Sequence, residues 1–198
     1  MRIGIDMDGV LCDFNRSLID FIRENLNNGI PDQSDNFPAE WNYFRAYVKP
    51  SEESFMWEQV ESSARDFWRN LHPVPGSLRP LFRLSRSVHD LYFITTRGGK
   101  TAKRQSETWL TERAQIPFPT VLIADNPEAK GSLCGALKLD FFVDDRPENC
   151  QWAVRHSPDT RVYLVDRPYN RERDVDGASR VASFEEFAVA VEEGKRKE

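Results

Sequence analysis

The chain has 198 residues, 39% apolar and 30% charged, with a formal net charge of −5. That length suits one core domain with a small insertion, and the two fractions are those of a folded globular chain. The acidic balance gives no support for binding a nucleic-acid polymer or an anionic membrane surface, and no apolar run approaches the ~18 residues of a membrane helix.

The first predicted element is Ile3-Gly4-Ile5-Asp6-Met7-Asp8-Gly9, a short buried strand that delivers two carboxylates to its C-terminal end. Side chains two apart on a strand share a face, so Asp6 and Asp8 are expected to converge while Met7 points away. Two such carboxylates repel unless a cation or a shared proton offsets them. Gly9 permits a tight turn or a close approach to a ligand. Taken alone, the stretch reads equally well as an Asp-rich turn. The aspartates also interrupt the apolar region that a secretory signal would need, and a cytoplasmic location is expected. Cys12, Cys134 and Cys150 form no CxxC or Cys/His cluster. They read as small apolar fillers in a reducing compartment.

Residues 15–72 carry a helix over Ser17–Leu26 and a breaker at Asn27-Asn28-Gly29-Ile30-Pro31. Phe37, Trp41, Tyr43, Phe44, Tyr47, Phe55, Trp57, Phe67 and Trp68 follow, without a strong strand. This reads as a small helical insertion, needing a mini-core that several rings fill. Trp41 and Phe44 have helical spacing, which suits that core; both are also candidates for substrate contact. Pro73-Val74-Pro75-Gly76 marks the return to the main domain, so residues 1–14 and 73–198 form the core and 15–72 a cap.

Beyond the return, Leu78, Leu81, Phe82 and Leu84 form an apolar helical stripe. A strand over Asp90–Thr95 stops at Thr95-Thr96-Arg97-Gly98-Gly99. A helix over Lys103–Ala114 precedes a strand at Thr120–Ala124. The strand Leu139–Asp144 stops at Asp144-Asp145-Arg146, and a helix with Pro147 in its first turn runs to Arg155. A strand at Arg161–Val165 and a helix N-capped by Ser183 complete the order, and the basic Lys195-Arg196-Lys197 reads as a solvated tail. Strands alternating with helices make an α/β fold, a doubly wound parallel sheet with right-handed crossovers.

Such sheets bind ligands beyond the carboxyl ends of their strands, and three polar clusters sit at three such ends. Asp6, Asp8, Asp144 and Asp145 supply negative charge; Thr95 and Thr96 supply hydroxyl donors. A lysine would complete a site for a tetrahedral dianion. Carboxylate oxygens suit a hard cation, and Mg²⁺ is held by few carboxylates plus waters and phosphate oxygens. An aspartate beside it can attack phosphorus, and an acid two residues on can protonate the leaving oxygen and later activate water. Against this, Asp144-Asp145 could serve as an N-cap pair before Pro147, and Arg97 and Arg146 suit salt bridges as well as substrate contacts.

With these residues, the chain resembles the haloacid dehalogenase superfamily of phosphohydrolases. Asp6-Met7-Asp8-Gly9-Val10 is similar to its first motif, Tyr92-Phe93-Ile94-Thr95 to its second and Phe142-Val143-Asp144-Asp145 to its fourth. Lys130, in Ala129-Lys130-Gly131, suits the spacing of its third better than Lys138. The run on to Leu11-Cys12-Asp13-Phe14, Pro73-Val74-Pro75-Gly76 and the helical insertion resemble the 5′(3′)-deoxyribonucleotidase branch. That branch often has Ser-Pro where this chain has Thr96-Arg97, which leaves the role of Arg97 open. The resemblance implies a Mg²⁺-dependent phosphomonoesterase acting on nucleoside or deoxynucleoside monophosphates. It implies Asp6 as nucleophile and Asp8 as general acid/base. Mg²⁺ would be bound by the Asp6 carboxylate, the Asp8 carbonyl and Asp145, with Asp144 beside it, and Thr95, Thr96 and Lys130 would hold the phosphate. It also implies cap aromatics that stack on the base. Two rivals stay open: a phosphatase of another small ester, such as a sugar phosphate or phosphoglycolate, and a non-catalytic nucleotide-binding protein.

Overall fold

The computed structural model describes residues 1–26, 29–32 and 37–195. Asn27-Asn28 of the expected breaker and Arg196-Lys197 of the basic tail lie outside the described residues.

Strand β1 (Arg2–Ile5) leads into a two-residue strand β2 (Cys12–Asp13) and helix α1 (Phe14–Leu26). Asp13 caps α1 by accepting the Arg16 N–H on Oδ1 at 3.0 Å, which satisfies one of the unpaired donors of the first turn. The chain then makes a 3₁₀ turn (Tyr43–Ala46), helix α2 (Pro50–Glu61) and strand β3 (His72–Pro73). β2 and β3 pair antiparallel, Cys12 opposite Pro73 and Asp13 opposite His72. The segment therefore leaves and re-enters through one pinned gate.

Its rings do not build a separate core. Phe14 stacks against Trp41, Trp57 and Trp68 at 6.0, 6.2 and 5.8 Å. The buried cluster to which Phe14 and Trp68 belong runs without a break into Ile3 and Ile5 of β1. The expected mini-core is thus one flank of the main core.

Helix α3 (Leu78–Ser85) buries Leu81 and Leu84 but leaves Phe82 43% exposed. The buried positions are Pro80, Leu81 and Leu84, and Phe82, about 100° round the helix from Leu81, falls outside that face, which corrects the expected stripe. There follow β4 (Asp90–Thr95), α4 (Ala102–Glu112), β5 (Thr120–Ile123), α5 (Pro127–Leu137), β6 (Phe141–Asp144), α6 (Pro147–His156), β7 (Arg161–Val165), β8 (Ala178–Val181) and α7 (Phe184–Lys195). The Ser183 hydroxyl accepts the Glu186 N–H at 3.3 Å, as a cap should.

Six strands form one parallel sheet in the order β5-β4-β1-β6-β7-β8. β1 lies centrally, between β4 and β6, with Ile3 and Ile5 fully buried. The sequence pattern anticipates five of these strands. β8, Ala178-Ser179-Arg180-Val181, escapes because it is an edge strand burying only Val181, so it carries no apolar run. The switch in strand order sits at β1, where β4 departs to one side and β6 to the other. Among the described residues, no helix is long and apolar enough to cross a membrane.

Candidate active site

β1 stops at Ile5, so Asp6 and Asp8 lie just past the strand rather than on its pleat. The Asp6 N–H still reaches the Val143 carbonyl of β6 at 3.0 Å. Asp6 and Asp8 still converge on one cleft while Met7 is buried away from it, but they do so from a turn beyond the strand, where each meets a different cation.

Asp6 pairs with Lys130. The lysine Nζ donates to Asp6 Oδ1 at 2.6 Å and to Asp144 Oδ2 at 2.8 Å, with all three side chains buried. Lys130 arrives there through the first turn of α5. Asn126 caps that helix by accepting the Ala129 N–H at 2.8 Å, and Pro127 presets its first turn. Gly131 and Gly135 then let α5 close on α6: a Cβ at either would fall 2.5 or 2.6 Å from the Trp152 or His156 carbonyl oxygen. Lys138 instead ends α5 in the left-handed conformation, so Lys130 is the lysine that reaches the aspartates. Asp144 is held further by the Arg146 N–H at 2.8 Å and Asn149 Nδ2 at 2.9 Å.

Asp8 pairs with Arg97. The guanidinium donates from Nε to Oδ2 at 2.9 Å and from Nη2 to Oδ1 at 2.7 Å, a bidentate geometry that fixes direction as well as distance. Arg97 is itself buried, its Nη1 donating to Ser106 Oγ of α4 at 2.9 Å and its plane 5.2 Å from the Trp68 ring. Thr95 is buried beside this pair, its hydroxyl 3.5 Å from Asp8 Oδ2. Thr96 is exposed on the cleft wall.

Asp145 completes the floor. One ligand oxygen from each of Asp6, Asp144 and Asp145 can be chosen so that all lie within 4.8 Å of one another. Asp145 Oδ2 accepts a hydrogen bond from the Tyr169 hydroxyl. Asp145 Oδ1 is buried and has no hydrogen-bond partner among the described residues.

Electrostatics follow from this crowding. Burial, then the charges of Asp144, Asp145 and Asp8, hold the Asp6 carboxyl well above the ordinary carboxylate range against the pull of Lys130. Burial and Asp144 push Asp145 up to about 7, with the Tyr169 hydrogen bond opposing. Burial would lower Lys130, but Asp144 and Asp6 win and keep it firmly charged. Three buried carboxylates against one ammonium leave a deficit of positive charge, which a hard cation on carboxylate oxygens relieves. Burial raises the three thiols, Cys134 to about 12, so they remain neutral apolar fillers.

Above the aspartates opens a cleft of about 420 Å³. Phe14, Trp41, Trp57 and Trp68 supply aromatic wall, while Glu61, Asp125, Asn126 and Arg146 supply polar rim. Arg146 makes a salt-bridge contact, 3.4 Å from Glu148, and lies 4.7 Å over the Trp41 ring. Phe44 does not belong to this wall. It is 2% exposed and packs edge-on against Trp57 at 6.4 Å, which corrects its candidacy for substrate contact.

The sequence reading missed the loop after β7. There Tyr169 meets Asp145, Asn170 Nδ2 donates to the Asp145 carbonyl at 2.7 Å, and Arg167 Nε donates to the Gly9 carbonyl at 2.8 Å. The rule that chemistry gathers where parallel strands stop would have found it, because Asp166-Arg167-Pro168-Tyr169-Asn170 follows the end of β7 directly.

The fold has solved counterparts. A haloacid dehalogenase superfamily hydrolase of Geobacter sulfurreducens superposes with a TM-score of 0.60 at 14% identity, covering 96% of this chain and 95% of that one. The D,D-heptose 1,7-bisphosphate phosphatase of B. bronchiseptica, solved with magnesium and phosphate, superposes with a TM-score of 0.57 at 13% identity, covering 98% of each. A Bacillus cereus protein described as a "putative nucleotidase" is 24% identical over 192 residues, covering 94% of this chain and 96% of that protein. The model of the family described as "5′ nucleotidase, deoxy (Pyrimidine), cytosolic type C protein" matches residues 1–193. Nearly the whole chain, from the Asp6–Asp8 turn through α7, therefore belongs to the type C 5′-nucleotidase family of phosphoric monoester hydrolases with a haloacid dehalogenase fold.

Proposed function

We propose that this chain is a Mg²⁺-dependent phosphomonoesterase of nucleoside or deoxynucleoside monophosphates. The observation that carries the reading is the unpartnered, buried Asp145 Oδ1 within the Asp6–Asp144–Asp145 cluster, on the floor of an aromatic-walled cleft. Hard carboxylate oxygens short of one cation fit Mg²⁺. Asp6, Asp145 and the Asp8 carbonyl would hold it, with Asp144 beside them. When bound, Mg²⁺ supplies charge neutralisation and polarisation of the phosphoryl group.

The chain's own groups then divide the work. Asp6 attacks phosphorus; the ester P–O bond breaks and an aspartyl-phosphate forms. Asp8 takes up a proton by releasing one of its two Arg97 hydrogen bonds, and gives that proton to the leaving oxygen. It then takes one from the water that attacks phosphorus, which frees phosphate and restores Asp6. Lys130, kept charged, and the Thr95 and Thr96 hydroxyls offset the phosphate's charge. Residues 15–72 act as a cap: Trp41 and Trp57, part-exposed at the cleft, offer ring surface on which a base can stack, while the buried Trp68 backs Phe14 and Arg97, and closure would exclude bulk water. The family's description as cytosolic supports a cytoplasmic location.

Phosphate release from a panel of nucleoside monophosphates, sugar phosphates and phosphoglycolate, with Mg²⁺ and with chelator, tests the reading. Nucleotides should be turned over fastest and chelator should stop turnover. Faster turnover of sugar phosphates would refute the substrate, and undiminished turnover in chelator would refute the metal.

A further inference from the structure

We infer that Tyr169 is a positioning residue for Asp145: its hydroxyl binds Oδ2 and so presents Oδ1 as the oxygen free for a cation. The inference rests on the Mg²⁺ reading above and adds to it a residue outside the four matched motifs.

Tyr169 sits in the 3₁₀ turn Pro168–Asn170 after β7. That turn grips the site from several directions. Asn170 Nδ2 bridges the carbonyls of Asp145 and Val165 at 2.7 and 2.8 Å, and Asn170 Oδ1 accepts the Arg167 N–H at 3.1 Å and Arg180 Nη1 at 2.8 Å. Arg167 Nε holds the Gly9 carbonyl at 2.8 Å. The backbone of Asp145 and the Asp6–Gly9 turn are thus clamped by one loop.

The tyrosine ring is fixed independently. Trp41 meets it edge-on at 5.2 Å and 78°, and Phe37 at 6.2 Å and 74°. Arg167 in turn lies 4.4 Å over the Phe37 ring. A ring held on two sides offers its hydroxyl in one direction, so the hydrogen bond to Oδ2 also sets the rotation of the carboxylate.

Gly9 supplies the space. Its φ is +79°, and a Cβ there would fall 2.1 Å from Asp145 Oδ2 and 2.7 Å from the Tyr169 hydroxyl oxygen. The glycine of the first motif is therefore required where Tyr169 meets Asp145, beyond its usual freedom in a turn. Partners that orient a metal-binding carboxylate typically change metal affinity by ~10–100-fold when removed. A hydrogen bond of purely structural value would change folding stability and leave metal affinity alone.

Tyr169→Phe separates the two. It keeps the ring against Trp41 and Phe37 and deletes only the donor. Titrating Mg²⁺ alone into wild type and Tyr169→Phe by calorimetry should show affinity weakened at least about tenfold. Melting in chelator should shift by less than about 4 °C, roughly the effect of 1 kcal/mol in a domain of this size. Mg²⁺ affinities within twofold of each other would overturn the inference while leaving the Mg²⁺ reading standing. No Mg²⁺ binding by the wild type would overturn both. A large melting shift with unchanged affinity would assign Tyr169 to structure alone and likewise overturn the inference.

Discussion

Two carboxylate–cation pairs lie side by side past the end of β1, and they are built differently. Asp8 and Arg97 balance one to one in a bidentate bond, backed by Ser106 of α4 and the Trp68 ring. Asp6 shares Lys130 with Asp144 and lies in one cluster with Asp145. The first pair is complete as it stands; the second is short of positive charge and keeps a bare carboxylate oxygen. A saturated pair holds a group in place, whereas an unsaturated one has capacity left for a ligand. By this contrast, the β1–β6 side of the cleft suits cation and phosphate, whereas on the β4–α4 side Asp8 is held in direction by Arg97 and carries a proton only when it gives up one of those two bonds.

Breaking the Asp6 side should have the largest effect. Asp6→Asn removes the proposed nucleophile and should lower phosphate release from a nucleoside monophosphate by about 10³-fold or more. It also removes one of three crowded charges, so its melting temperature should be unchanged or higher. Lys130→Met should do the opposite to the fold. Two buried carboxylates then lose their shared cation, at a cost of about 3 kcal/mol or more, read from urea unfolding at neutral pH. A Lys130→Met protein as stable as wild type would show that the two pairs are not so unlike.

The third test uses pH. Asp145 titrates near 7 in the folded protein because burial and Asp144 disfavour its charge, against about 3.9 for an unfolded chain. Between these values the folded state binds more protons than the unfolded one, so stability falls as pH rises. This contribution is fully present below the unfolded pKa and is lost as pH passes through about 7. Without metal, wild type should lose stability from pH 4 to 7 relative to Asp145→Asn, and saturating Mg²⁺ should shrink that difference. Parallel unfolding curves across the range, measured in chelator, would remove the charge deficit from the comparison.

Legibility in the sequence followed the apolar runs. β4 and β7 have the bounds their runs suggest, because Leu91-Tyr92-Phe93-Ile94 and Val162-Tyr163-Leu164-Val165 cross the sheet as continuous apolar stretches. β8 carries no such run. The polar strand ends also pointed to Asp6, Asp8, Arg97, Asp144 and Asp145, all of which meet in space. Spacing could not show that Arg97 would turn back onto Asp8, since 89 residues separate them. Nor could spacing pair Tyr169 with Asp145, although the rule that chemistry gathers at strand ends points to its loop, which follows β7 directly. Helical spacing joined Trp41 to Phe44, yet residues 43–46 form only a 3₁₀ turn, and the two rings part company.

That parting yields the finest test of the contrast between open and saturated surroundings. Trp41 lines the cleft, with Arg146 4.7 Å from its ring centre. Phe44, three residues on, is buried against Trp57. Stacking on a base is worth ~1–3 kcal/mol per ring, so Trp41→Ala should raise KM for a nucleoside monophosphate by roughly 5- to 150-fold. With Mg²⁺ saturating, so that the lost edge contact to Tyr169 does not limit metal occupancy, KM should move more than kcat, because the ring touches the substrate's body rather than its phosphorus. Phe44→Leu should instead lower stability by about 1 kcal/mol, an ordinary core substitution, and leave KM within twofold. Steady-state kinetics and urea unfolding of both variants decide it. A KM shift in Phe44→Leu, or none in Trp41→Ala, would mean that the base binds against a different wall of the cleft.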